Sequence, residues 1–317
     1  MHGQRTLTDP RPQAEADAVF AEVSNWGRWG PDDELGTVNL IDATSVRAGF
    51  DAVLTGERIG CGVLELASSI SNPAPAQHFM VLAPDTQTAD YGICRDFLAF
   101  PPHGPGITHI DALCHVFYKG LMYNGRPAAD VTSSGAQSHA ITAFRDGITT
   151  RGVLLDLPRF RGVDFLEPDE PVRSDELSRA TEAAGLEIRV GDALVVRVGR
   201  RARRDTLGAE AEYLPGSRHL RLAGLDIDCL PWLREQGVSV MISDAGHDAL
   251  PSPFGPAVSP LHVGCLIYLG MPLVDNAQLD RLAEACASRG RSDFLLTLNP
   301  LSIEGCTGSP VNPVAVL

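Results

Sequence analysis

The sequence is short of basic residues, of aromatic side chains and of paired cysteines, and each shortage closes off a class of function. Lysine and arginine number 26 against 40 aspartates and glutamates, a formal charge of -14 at neutral pH. So acidic a chain repels a polyanion, and no nonspecific nucleic-acid interface is expected. No apolar run reaches the roughly 20 residues that span a bilayer. The opening M-H-G-Q-R-T-L-T-D-P lacks the apolar core of a secretion signal, so the expectation is a cytoplasmic protein without membrane contact. The seven cysteines, at 61, 94, 114, 229, 265, 286 and 306, include no C-x-x-C pair, which points to reduced, mostly structural thiols. There is no G-x-S-x-G elbow, no P-loop and no framed dinucleotide fingerprint, so serine-hydrolase and phosphate-cradle chemistry have no carrier.

What is present is concentrated. Three of the nine histidines fall within residues 103–115, H-G-P-G-I-T-H-I-D-A-L-C-H. His109 and Asp111 stand at i and i+2, so in an extended segment their side chains leave one face. His115 lies four residues past Asp111, and a helical turn beginning at Ala112 would bring it back beside the pair. Imidazole with carboxylate suits zinc or manganese, and a third imidazole suits a proton acceptor. By spacing alone a polar loop of hydrogen-bonded histidines remains the alternative, because H-x-D-x-x-x-H is not a zincin motif. Cys114, next to His115, leaves a thiol nucleophile as a further alternative.

The rest of the chain has hydrophobic content of 44% over 317 residues, enough for a sizeable core. Residues 1–24 read as a polar lead with a short helix, and residues 25–317 as one catalytic domain. Asp42 predicts a helix cap, with the helix running toward 53. Residues 59–66 are strand-like, and residues 70–106 read as a long proline-rich loop that shapes the substrate site. Strands are expected at 153–157, 193–198, 238–243 and 294–298. Helices are expected at 171–185, capped by Ser174, at 224–237, and from an Asp275 or Asn276 cap to Gly290. Residues 262–270 form a buried helix or strand. The basic run 197–204 reads as a solvated loop, and the stretch after 298 as a turn-rich tail. Strands interspersed with helices argue for an α/β fold. Trp26, Trp29, Tyr118 and Tyr123 either line a pocket or pack in the core. His219 and His247 lie in polar loops within reach of a pocket, and surface or structural roles are the favoured expectation for both. His78 and His139 have no acidic partner at useful spacing, and Asp244 either faces a site or supports its loop.

Three stretches carry a family resemblance: T-H-I-D-A-L-C-H (108–115), R-G-V-L-L-D (151–156) and T-G-S-P-V-N-P (307–313). Together with W-G-P-D-D-E-L-G-T-V-N-L (29–40) they resemble the longer branch of the metal-dependent cyclase family, which includes bacterial kynurenine formamidase and isatin hydrolase. The likeness runs from residue 26 to the C-terminus. It implies a swivelling β/β/α domain with a mixed sheet and packed helices, commonly a homodimer or larger homo-oligomer. Position by position, it implies His109, Asp111, His262 and Asp275 as metal ligands and His115 as the catalytic base. Asp275 stands where the family usually has glutamate. The family's first histidine would fall at Pro105, which cannot ligate. His103, two residues earlier, either delivers an imidazole through a shifted loop or points away.

The resemblance thus implies one or two divalent ions, zinc or manganese, and hydrolysis of a formamide, cyclic amide or lactone of a small aromatic molecule. His115 would take a proton from water and return one to the leaving group. The competing reading is a cyclase, dehydratase or isomerase of a biosynthetic pathway that uses the same pocket with weak or no metal dependence. A non-catalytic ligand-binding descendant of the fold is the third.

Overall fold

The structure is a computed structural model, and it describes residues 10–317 except 71, 88, 89, 218, 256 and 257. In chain order the strands are β1 (Arg58–Gly60), β2 (Gln77–Leu82), β3 (Arg95–Ala99), β4 (His109–Asp111), β5 (Val131–Thr132), β6 (Gly135–Ala136) and β7 (Ile148–Asp156). They continue as β8 (Ala193–Arg197), β9 (Val240–Ser243), β10 (Leu273–Asp275), β11 (Asp293–Leu298), β12 (Gly308–Pro310) and β13 (Val314–Val316). The helices are α1 (Gln13–Val23), α2 (Ala43–Asp51), α3 (Leu157–Arg161), α4 (Ser174–Ala183), α5 (Arg200–Leu207), α6 (Cys229–Gln236), α7 (Pro260–His262) and α8 (Asp280–Arg289). α7 runs directly into π-helical turns over Val263–Leu269.

Nine strands form one mixed sheet in the order β1-β13-β11-β7-β8-β9-β10-β4-β12. β7, β8, β9 and β10 are parallel neighbours, and the flanking pairs are antiparallel. β8 and β9 read as continuous apolar runs because both faces of the parallel centre are covered, and nearly every residue in them is buried. The expected mixed sheet with packed helices is the architecture found. Among the described residues, no helix is long and apolar enough to cross a membrane.

Local signals explain most boundaries. Asp42 accepts hydrogen bonds from the Thr44 and Ser45 amides at 2.8 and 2.9 Å, and Ser45 Oγ accepts from the Asp42 amide, closing a capping box on α2. Gly185, Gly237 and Gly290 follow α4, α6 and α8 in left-handed conformation.

Several expectations are corrected. Residues 70–106 are not one loop, since they contain the antiparallel β2–β3 hairpin, whose Phe79 and Phe97 are cross-strand neighbours. The basic run is no solvated loop but the start of α5. Arg200 binds Glu212, Arg203 binds Glu167, and Arg204 binds Glu65. Neither Asp275 nor Asn276 caps α8, because Asp275 ends β10 and the helix starts five residues later. Ser174 lies inside α4 rather than at its cap. The strand expected at 59–66 ends at Gly60, and the tail supplies β12 and β13. These last strands are three residues each, too short for a period of two to stand out.

The 29–40 stretch wraps onto the turn after the π-helical segment. Thr37 donates its amide to the Gly270 carbonyl at 2.8 Å and its hydroxyl to the Ser239 carbonyl at 2.7 Å. Gly36 has φ +56, and a Cβ there would lie 1.8 Å from the Gly270 oxygen. Gly36→Ala therefore combines left-handed strain with overpacking and should cost about 1–3 kcal/mol in urea unfolding. An unchanged midpoint would show that this contact does not anchor the segment.

Candidate metal centre

The centre begins with strand register. On β4, His109 and Asp111 share a face, as an i, i+2 pair must. β10 pairs with β4 so that Asp275 stands opposite His109, and β12 pairs with it on the other side so that Gly308 stands opposite Asp111. Directly opposed residues project to the same side of a sheet, so three chain segments meet at one spot. The ends of the parallel strands β9 and β10 open toward that spot, a usual place for a site in such sheets.

His103 arrives from the loop before β4. Its Nδ1 lies 2.8 Å from Asp111 Oδ1 and its Nε2 lies 2.9 Å from Thr307 Oγ1. Gly308 makes room for this ring, because a Cβ there would come within 2.6 Å of His103 Cε1. Of the two open alternatives, the ring therefore turns into the cluster. His109 donates from Nδ1 to the Ile107 carbonyl at 2.9 Å, which leaves the Nε2 lone pair 3.5 Å from Asp111 Oδ1.

His262 comes from the end of α7. Its Nε2 lies 3.7 Å from Asp111 Oδ2 and 3.5 Å from Asp275 Oδ2. Its Nδ1 lies 2.5 Å from Asp248 Oδ2, and Asp248 also accepts the Leu261 and His262 amides. His247 Nε2 lies 3.1 Å from Asp275 Oδ1 and 3.2 Å from the Val274 carbonyl oxygen. The following residue is tied back to β4, since Thr108 Oγ1 donates to the Asn276 carbonyl at 2.8 Å.

Two trios result, His103–His109–Asp111 and Asp111–His262–Asp275, each offering ligand atoms within 4.8 Å of one another. Asp111 belongs to both. It is fully buried, and its Oδ2 has no hydrogen-bond partner among the described residues. Burial opposes its ionisation, but the hydrogen bond from His103 and the fields of His115 and His109 hold its carboxyl below the ordinary range. Burial likewise opposes ionisation of Asp275, and hydrogen bonds from His247 and His262 hold it well below. Burial disfavours a charged His262, yet Asp248 and Asp275 raise its pKa well above normal. Two buried carboxylates thus require positive charge beside them, as a proton on His262 or as a cation. A donor-less carboxylate oxygen among imidazole nitrogens whose opposite nitrogens are tethered fits a divalent ion bound by nitrogen and oxygen.

His115 follows a tight turn rather than a helix, its amide bonded to the Ala112 carbonyl. Its ring stacks on His103, centroids 3.6 Å apart at 11°. Burial pushes its pKa down to about 4, with Asp111 opposing and His103 adding to the shift. The imidazole is therefore neutral near pH 7 and free to accept a proton. Cys114 is different, because burial pushes its thiol up to about 12, which removes the thiolate that a nucleophile needs.

The remaining sequence candidates lie elsewhere. Trp26 stacks on Tyr268 and donates Nε1–H to the Ile267 carbonyl, and Tyr123 is buried with its hydroxyl on Asp33. Tyr118 bonds Asp17, and His78 does have an acidic partner, Asp96, across the β2–β3 hairpin. His139 is buried edge-on to Tyr123. Asp244 accepts the Val198, Gly199 and Arg200 amides at the start of α5. Asp248, Thr307 and Gly308 carry no site signal of their own in the sequence, and His247, for which a surface or structural role is the favoured expectation, instead faces Asp275. The S-D-A-G-H-D loop after a strand was the available signal, but its contact with Asp275 and His262 depends on the β9–β10 pairing.

Gly308→Ala should push the His103 ring out of the cluster and weaken metal binding by about tenfold or more. Competition against a chromophoric chelator measures this, and an unchanged affinity would remove His103 from the centre.

The "Putative cyclase" family description matches residues 64–247. A crystal structure of a novel cyclase superposes with a TM-score of 0.82 at 27% identity, covering 94% of this chain and 99% of that one. An isatin hydrolase bound to the product analogue thioisatinate gives 0.59 at 19% identity, covering 87% and 99%. Isatin hydrolase A from Ralstonia solanacearum gives 0.54 at 18%, covering 87% and 97%. Comparison with curated proteins finds no match. With more than half its length matched and the fold shared throughout, the chain belongs to the cyclase family.

Proposed function

We propose that this chain is a metal-dependent hydrolase that cleaves the C–N bond of a formamide or cyclic amide, or the ester bond of a lactone, in a small, aromatic or otherwise planar substrate. The observation that carries the reading is the sharing of Asp111 between two ligand trios, with the neutral His115 imidazole stacked at their edge. In this reading His103, His109 and Asp111 hold one divalent ion, zinc or manganese, and Asp111, His262 and Asp275 hold a second. A bound ion supplies Lewis acidity toward the carbonyl oxygen and a source of hydroxide at neutral pH.

The protein's own groups do the rest. His115 accepts the proton of the attacking water and returns it to the departing nitrogen or oxygen. Its burial keeps it unprotonated before the reaction, and the stack on His103 fixes its plane. Asp111, held ionised, supplies the negative charge that both trios share. The likeness in fold to isatin hydrolases supports a cyclic amide as the substrate class. In keeping with the resemblance read from the sequence, we place the enzyme in the cytoplasm as a homo-oligomer, a dimer in the simplest case.

One observation favours a second reading. Because a proton on His262 offsets part of the buried negative charge without an ion, proton-transfer chemistry of a cyclase, dehydratase or isomerase remains the alternative. Chelation separates the two. Dialysis against a strong chelator should abolish turnover of isatin or an N-formyl aniline, and zinc or manganese should restore it; full activity of metal-free protein would reject the hydrolase reading. His115→Ala should lower kcat by about 10²–10⁴ while metal content, measured by elemental analysis, stays at the wild-type level. Loss of metal in that variant would make His115 a ligand instead of the base.

A further inference from the structure

The loop after β9 touches both ligands of the second trio that do not come from β4. His247 and Asp248 are consecutive, and His247 holds a left-handed backbone at φ +56. Such a conformation is costly for a residue with a Cβ and persists where the surroundings enforce it. Its effect here is that adjacent side chains reach different targets, His247 onto Asp275 and Asp248 onto His262. Both are buried to about 1% exposure, so neither contact is shared with bulk water.

The tautomers follow from the partners. The Val274 carbonyl can only accept, so the His247 Nε2 that faces it carries the hydrogen. That N–H is aligned on Val274, and Asp275 Oδ1, which has no hydrogen-bond partner among the described residues, lies 3.1 Å from the same nitrogen as a close polar contact. Asp275 Oδ2 is left on the side of His262 Nε2. Asp248, which accepts the Leu261 and His262 amides, also faces His262 Nδ1 and so holds the ring hydrogen there, leaving Nε2 facing Asp111 and Asp275.

We propose that His247 and Asp248 are positioning residues for the second metal position, His247 by aiming the Asp275 carboxylate and Asp248 by setting the His262 tautomer. The inference rests on the two-ion reading above. It predicts that the second position can be weakened without disturbing the first, because among the described residues no hydrogen bond or ion pair links either residue to His103 or His109.

The test is a cobalt titration of metal-free protein, read by calorimetry and by the visible absorption of the bound Co²⁺. Wild type should bind two equivalents. His247→Ala and His247→Phe, the latter keeping ring volume without an N–H, should each weaken the second equivalent by about 10–100-fold and change its spectrum while the first equivalent binds normally. His247→Gln, which keeps a donor near the Nε2 position, should restore the second equivalent. Asp248→Leu, which accepts from neither Leu261 nor His262, should weaken the second equivalent in the same way. Retention of the first equivalent reports that each variant is folded, and if the alanine variant loses both, the phenylalanine variant decides. Two equivalents bound with wild-type affinity and spectrum in both His247→Ala and His247→Phe would overturn the inference and leave the two-ion reading standing. A single equivalent in wild type would instead overturn the two-ion reading and this inference with it.

Discussion

The structure around β4 depends on one buried anion. Asp111 has no access to solvent, and its carboxylate meets imidazoles on every side that the fold provides. Stranding such a charge in the interior costs several kcal/mol, so the surroundings must supply compensating charge and donors. The loop carrying His103, His109 on β4 itself and the α7 end carrying His262 do so, whereas Asp275 on β10 adds a second negative charge beside Asp111. The register of β10 and β12 against β4 is what brings the sheet-borne members to one face. The edge of the sheet, more than any single helix, therefore defines the site.

Around that centre the polar groups fall into layers of increasing constraint. Ile107, Thr307 and Asp248 each bond the far nitrogen of a histidine, which settles which nitrogen faces inward. Further out, the 29–40 stretch packs on the turn at Gly270 and so supports the π-helical segment that follows His262. His115 stands apart from this scheme. Its ring stacks on His103 outside both trios, and its neutrality comes from burial, which suits the proton-acceptor role proposed for it.

Much of this was legible in the sequence for identifiable reasons. His109 and Asp111 could be paired because a strand has a period of two, and the capping signal at Asp42 is local. Of the parallel core strands, β7, β8 and β9 are legible as short apolar runs, whereas β10 is not. What was not legible depended on register and on contacts across the chain. Asp275 looked like a helix cap because an aspartate before a periodic segment usually is one; only pairing of β10 with β4 shows otherwise. The arginines of 197–204 looked solvated because their acidic partners, at 65, 167 and 212, are remote or follow a turn. Gly308 carried no local signal at all, since its role is the space it leaves for a ring 205 positions earlier. His247 was set aside for the same reason, its partner lying on a strand that the sequence reading had assigned to a helix start.

The central claim is that a single carboxylate, Asp111, serves two metal positions. Elemental analysis of Asp111→Asn, purified and reloaded beside wild type, tests it most directly. The account predicts that this one substitution abolishes tight binding at both positions while circular dichroism shows the fold retained. A folded Asp111→Asn protein that still holds two ions as tightly as wild type would contradict it.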